Sequence, residues 1–263
     1  MTGPSLATRA TDLVASEWTK FRSVRSTFWV LLVAVVTPVA VSAVVAFAFA
    51  NAPKSGAAGS RPPSDPLLPE VISLEYAVIA VAVLGVLAFT SEYSTGLIRV
   101  TFAAAPRRRA VLAAKATVLS AVTLTVGEAV AFTSFGLDQA VLAGHHQGVS
   151  LGHPGVPGAV LCAGLLLCVC TLLGLALGAI VRHTAGGIAA TIAVIVVPAI
   201  LALLPSPWNG RIGRFTLLEA AGQVTALHPA ADLFSPAWSL LVLLAWPGIA
   251  LAAAAVLITR RDA

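Results

Sequence analysis

Charged residues punctuate this chain so sparsely that the apolar runs between them stand out. Residues 26–53 contain no Asp, Glu, Lys or Arg, and that run predicts a membrane-spanning helix over about 27–50. Further runs predict spans at about 73–91, 111–136, 158–181, 185–204 and 237–259. Glu75 should sit near an interface, because only 76–91 of the second run is wholly uncharged. Pro157 opens the fourth span, and Arg182 and His183 close it. Each run is far longer than a tilted barrel strand, and a backbone in lipid must satisfy its own hydrogen bonds, so the expected fold is all-α.

Two stretches follow a different pattern. Over residues 5–25, Ala7, Ala10, Val14, Trp18 and Phe21 share one side of a helical wheel, with Arg9, Asp12, Ser16, Lys20 and Ser23 opposite. This predicts an amphipathic interfacial helix, within a segment 1–26, with Trp18 at head-group depth. Glu17 breaks the pattern by pointing to the apolar side. It either pairs with Lys20 one turn on or reaches another cytoplasmic element. Ala48-Phe49-Ala50 resembles a signal-peptidase site, but the 26-residue polar leader and span-length apolar run favour a retained helix. Residues 205–236 are too apolar for a plain loop, and Phe215, Leu217, Leu218, Ala221, Val224 and Leu227 predict a short helix at the other membrane face.

Composition fixes the class. The chain of 263 residues is 58% apolar and only 10% charged, against about 25% charged in soluble domains. Lipid must cover what polar groups cannot. The net charge of +5 points to anionic head groups rather than nucleic acid, because the basic residues flank apolar spans. With the N-terminus inside, twelve of the sixteen Lys and Arg fall on the cytoplasmic side, and only Lys54, Arg61, Arg211 and Arg214 lie outside. The opposite topology would violate the positive-inside rule, so six spans with both termini cytoplasmic are expected, ending in a tail at 260–263.

Glu128 is the one acid deep in a predicted span. An unpaired carboxylate there costs about 3 kcal/mol, so it faces other helices or a cavity. It is either a contact for a cation in a pathway or a neutral carboxyl bonded to a neighbouring helix, with Gly127 allowing close approach and Thr123 and Thr125 as polar neighbours. In the fourth span Cys170, Gly174 and Gly178 are spaced by four, a ridge for close helix packing. Cys162, Cys168 and Cys170 have no metal-site spacing and read as small packing residues. His145, His146 and His153 lie in a Gly-rich loop with only Asp138 near, which argues against a metal site. No metal or catalytic residue is expected.

Between the second and third spans runs Ser91-Glu92-Tyr93-Ser94-Thr95-Gly96-Leu97-Ile98-Arg99-Val100-Thr101-Phe102, then Pro106-Arg107-Arg108-Arg109. Ser91 can cap a short helix with Glu92 in its first turn, and Pro106 stops it. The arginines are expected to hold the next span at the inner head groups.

The chain resembles the permease subunits of bacterial, actinobacterial-like ABC-2 type exporters. The matching pieces are Ser16-Glu17-Trp18-Thr19-Lys20-Phe21-Arg22-Ser23, Leu84-Gly85-Val86-Leu87, Ser91 to Gly96, Pro106-Arg107-Arg108, Ala114-Lys115-Ala116, Gly178 with Arg182-His183-Thr184-Ala185, and Arg260-Arg261-Asp262-Ala263. Their order and spacing carry the resemblance over essentially the whole chain. It implies that 92–109 is a coupling segment, with Glu92, Tyr93, Ser94, Gly96 and Arg99 facing an ATPase, and that 205–236 is re-entrant. It also implies a partner ABC ATPase holding ATP and Mg²⁺, and a second permease copy or sister permease. The chain carries no P-loop of its own: Lys20, Lys54 and Lys115 follow Thr19, Pro53 and Ala114, not glycine. The chain is therefore not expected to be an enzyme. Two other classes fit the spans: an ion-coupled transporter or channel using Glu128, and a non-transporting membrane anchor.

Overall fold

A computed structural model describes residues 6–51, 65–105, 107–201, 212–230 and 233–260. Among these residues the structure is helical throughout, without strands. The helices are α1 (Leu6–Ser23), α2 (Arg25–Ala50), α3 (Leu68–Ser94), α4 (Leu97–Ala104), α5 (Arg108–Ala143), α6 (Val156–Val181), α7 (Thr184–Leu201), α8 (Leu217–Thr225) and α9 (Pro236–Arg260). Five of them, α2, α3, α5, α6 and α9, are long and apolar enough to cross a membrane, and α7 has a shorter apolar stretch over Thr184–Pro198. This is a helical, multi-pass membrane protein.

Local chemistry sets the boundaries. Val24 adopts an extended conformation (φ −91°, ψ 113°) and separates the amphipathic α1 from the apolar α2. Ser91 does not cap a new helix, as the polar run suggests. Nothing between 76 and 95 breaks a helix, so α3 continues to Ser94 and carries Glu92 on its last turn. Gly96, at φ 72°, makes the break, a left-handed conformation that costs an L-residue about 1–2 kcal/mol. Pro106 lies outside the described residues. At the opposite end α3 begins at Leu68 and α5 runs on to Ala143, beyond the uncharged runs. Glu70 and Asp138 are therefore helical, while Glu75 is exposed. Arg182, also left-handed (φ 59°), ends α6 with its N–H on the Gly178 carbonyl at 2.8 Å. Of the stretch 205–236, residues 205–211 and 231–232 are outside the described residues, and α8 is the short helix within it.

α6 is the central helix, packed on α3, α5, α7, α8 and α9. Glycines let the backbones meet: a methyl group at Gly174 would overlap the Ala82 carbonyl oxygen, and one at Gly85 that of Thr171. The Gly174–Gly178 ridge thus packs within the chain, on α3, in the close manner of small-residue helix pairs. Gly127 meets the Gly164 backbone in the same way, 2.5 Å from a Cβ that is not there. One apolar core, including Leu67, Leu74, Val160, Leu217 and Leu243, fills the end near α8. A second, with Phe89, Ile98, Phe102, Leu112 and Ile258, fills the end near α1 and α4.

Side chains tie each end together. Asp65 accepts from Leu67 N at 2.9 Å, Leu227 N at 2.7 Å and His228 N at 3.1 Å, pinning the end of α8 to the start of α3. At the α4 end Arg108 donates to the Ile258 carbonyl at 3.2 Å and Arg109 to that of Ala255 at 3.2 Å. These guanidinium groups satisfy carbonyls in the last turns of α9, where a cation also suits the helix dipole.

Candidate functional site

The α4 end holds a closed set of charges drawn from elements far apart in sequence. α1 supplies Glu17 and Lys20 from one turn, α3 supplies Glu92 from its last turn, and α5 supplies Lys115 from its second turn. Lys115 Nζ lies 2.5 Å from Glu17 Oε2 and 2.8 Å from Glu92 Oε1. Lys20 Nζ lies 2.8 Å from Glu17 Oε1 and 3.2 Å from Glu92 Oε1. Thr101 of α4 joins them: its hydroxyl donates to Glu92 Oε2 at 3.4 Å and accepts from Lys20 at 3.3 Å.

Two positive and two negative charges thus cancel. Cancellation is necessary here, because the side chains of Glu17, Glu92 and Lys115 are only 4%, 8% and 7% exposed. A charge so buried is tolerated only when paired and hydrogen-bonded. Lys20 is different, with 40% of its side chain exposed. Burial pushes its ammonium down, but the carboxylates of Glu17 and Glu92 outweigh burial and hold it above the ordinary lysine value.

Glu17 therefore bonds both its helical neighbour Lys20 and, through Lys115, another element. The cluster links α1 to the ends of α3, α4 and α5. An open groove of about 1340 Å³ runs beside it between α1, α2, α3, α4 and α5, with Leu84, Leu87 and Val118 among its apolar walls.

Other predicted site residues surround this cluster with separate contacts. Tyr93 stacks near Phe89, with ring centroids 5.6 Å apart, and lies under the Arg182 guanidinium at 5.4 Å, so α6 reaches the turn before α4. Ser94 is exposed and bonds the Ser91 carbonyl at 3.0 Å. Arg99 is exposed. Trp18 is exposed with Arg22 over its ring at 5.8 Å. α4 itself is two-sided: Ile98 and Phe102 are 3% and 8% exposed, whereas Leu97 and Val100 are 55% and 67% exposed. Arg108 sits over the Phe102 ring at 5.2 Å and holds the buried side.

Glu128 is elsewhere. It lies on α5, half-buried, and packs on Gly164 of α6, where an added Cβ would stand 2.5 Å from its carboxyl carbon. Thr123 and Thr125 do not serve it; each bonds a carbonyl of its own helix at 2.7 Å. Glu70 and Asp138, near the ends of α3 and α5, are more buried, at 3% and 1% exposure. Among the described residues no three His, Cys, Asp or Glu converge to hold a metal ion, and Cys162, Cys168 and Cys170 are free thiols.

Lys115 was the readable signal for the cluster. A lysine several residues inside an apolar run is too costly to stand alone, so it demands buried carboxylates. Thr101 gave no such signal. No family model matches the chain, and no curated protein matches it.

Proposed function

We propose that the chain is the membrane-spanning permease subunit of an ATP-driven exporter of the ABC-2 type. α7 makes the sixth crossing, both termini and α4 are cytoplasmic, and the membrane is the bacterial plasma membrane. One observation carries the reading. α4 buries Ile98 and Phe102 in the bundle while Leu97 and Val100 stay exposed along the open groove beside the charge cluster, at the end where most basic residues gather. Exposed apolar side chains on a helix rimmed by charges mark a docking face for a soluble partner, and the basic bias puts that face in the cytoplasm.

The partner is an ATPase on another polypeptide. Its nucleotide-driven motion pushes α4, and the Glu17–Lys115–Glu92–Lys20 cluster passes the push to α1, α3 and α5. A second permease copy or sister permease completes the pathway. The test is copurification of the tagged protein with the ATPase encoded beside it, in mild detergent. Wild type recovers the ATPase. Val100→Asp, which puts a charge at an exposed position of the docking face, loses it. Equal recovery by both proteins counts against docking on α4.

A further inference from the structure

The end of the bundle opposite α4 contains buried acids. Glu70 lies on the first turn of α3, one turn from both Leu67 and Leu74 of the apolar core, and is 3% exposed. Asp138 lies on α5 next to Phe135 of the same core and is 1% exposed. Gln139, the residue after Asp138, donates to the Pro66 carbonyl at 3.2 Å, which brings this part of α5 to the start of α3. Asp138 Oδ1 accepts from the Ser42 hydroxyl of α2 at 2.5 Å. Oδ2 of Asp138, Oε1 of Glu70 and Oγ of Ser134 are buried without a partner. Ser134 is 0% exposed and stands one turn before Asp138, on the same face of α5.

Among the described residues neither Glu70 nor Asp138 forms an ion pair; the pairs formed by Glu17, Lys20, Glu92 and Lys115 lie at the α4 end. The elements packed here bring Ser42 from α2, Glu70 and the exposed Glu75 from α3, Glu128 and Asp138 from α5, Cys162 from α6, and Glu219 with Gln223 from α8, where Arg214 lines a small cavity with Glu219 and Gln223 and lies over the Phe234 ring. An unpaired carboxylate in such a place is strongly disfavoured, and two neighbouring ones more so. The acids do not converge as metal ligands. The occupant that matches single orphan oxygens is the proton.

We propose that Glu70 and Asp138 form a proton-binding pair buried between α2, α3 and α5. Each carries a proton while the helices stay packed. When water enters, the O–H bond breaks, the proton leaves on water and the electron pair stays on the carboxylate. The site stands whether or not an ATPase drives the protein.

The test is infrared spectroscopy of the full chain in liposomes at pH 7, in H₂O and D₂O. A protonated-carboxyl band that shifts in D₂O is expected, and Glu70→Gln and Asp138→Asn should each remove part of it. Ser42→Ala keeps both carboxyls and should move the Asp138 share of the band, so the assignment survives a failure of either amide variant to fold. Absence of the band, or a band untouched by all three substitutions, overturns the pair. So does a band that appears only when Na⁺ and K⁺ are removed, which would assign the site to a metal cation. ATPase copurification is a separate readout, and the amide variants should leave it intact.

Discussion

Replacing Lys115 with alanine should damage the protein far more than replacing Lys20, although both lysines touch the same two carboxylates. Lys115 makes contacts of 2.5 and 2.8 Å at 7% side-chain exposure, and Lys20 makes contacts of 2.8 and 3.2 Å at 40% exposure. Lys115→Ala leaves the carboxylates of Glu17 and Glu92 buried with one half-solvated partner between them. Breaking a buried pair costs about 3–5 kcal/mol, and the surviving Lys20 contacts place this case near about 3 kcal/mol. Solvent-exposed pairs are worth about 0–1 kcal/mol, so Lys20→Ala should cost about 1 kcal/mol or less. At about 2–4 °C per kcal/mol, thermal unfolding in detergent should fall by about 6–12 °C for Lys115→Ala, and by no more than about 4 °C for Lys20→Ala. Tryptophan fluorescence reads the transition. The triple variant Glu17→Gln, Glu92→Gln, Lys115→Met removes the burial penalty with the charges and should recover most of the loss. Equal losses for the two lysines, or a triple variant no better than Lys115→Ala, would refute the argument that burial decides their worth.

Three further outcomes follow from other contacts. Gly174→Val should abolish close packing of α3 on α6, since even a methyl group would overlap the Ala82 carbonyl; the readout is loss of monodisperse protein, beyond the ~1–3 kcal/mol of ordinary overpacking. Asp65→Ala removes the acceptor of the Leu227 and His228 amides, so hydrogen exchange should accelerate there while the α6 amides stay protected. The Lys20 ammonium is held above its ordinary value by Glu17 and Glu92, so its contribution is complete below the unfolded lysine value of about 10.4 and is lost only as pH rises past the folded value. Lys20→Met should lower the melting temperature by a small, constant amount through the neutral range and flatten its fall at alkaline pH, where wild type and variant converge.

Five of the six predicted spans coincide with helices long and apolar enough to cross a membrane, because charge is so costly in lipid that its absence maps the helices. The helices run past the uncharged stretches: Glu70 and Asp138 fall outside the predicted spans, yet α3 and α5 include both, and the Ser42 hydroxyl bonds Asp138. The polar run Ser91–Thr95 reads as a new element, but one glycine conformation at Gly96, not polarity, ends α3. Glu17 was legible as an anomaly, since an acid on the apolar side of α1 needs a partner. Which partner was not, because Lys115 is 98 residues away and only packing brings it near. The arginines after Pro106 read as head-group anchors. Two of them also bond the carbonyls of α9, a long-range contact with no local signature.

The proposed docking of an ATPase on a cytoplasmic α4 is tested by photo-crosslinking from Val100→Cys, labelled with a membrane-impermeant reagent on inside-out vesicles. Labelling of inside-out but not right-side-out vesicles is expected, together with a crosslink to the ATPase subunit. Labelling from the external side, or a labelled helix that captures no ATPase, would contradict it.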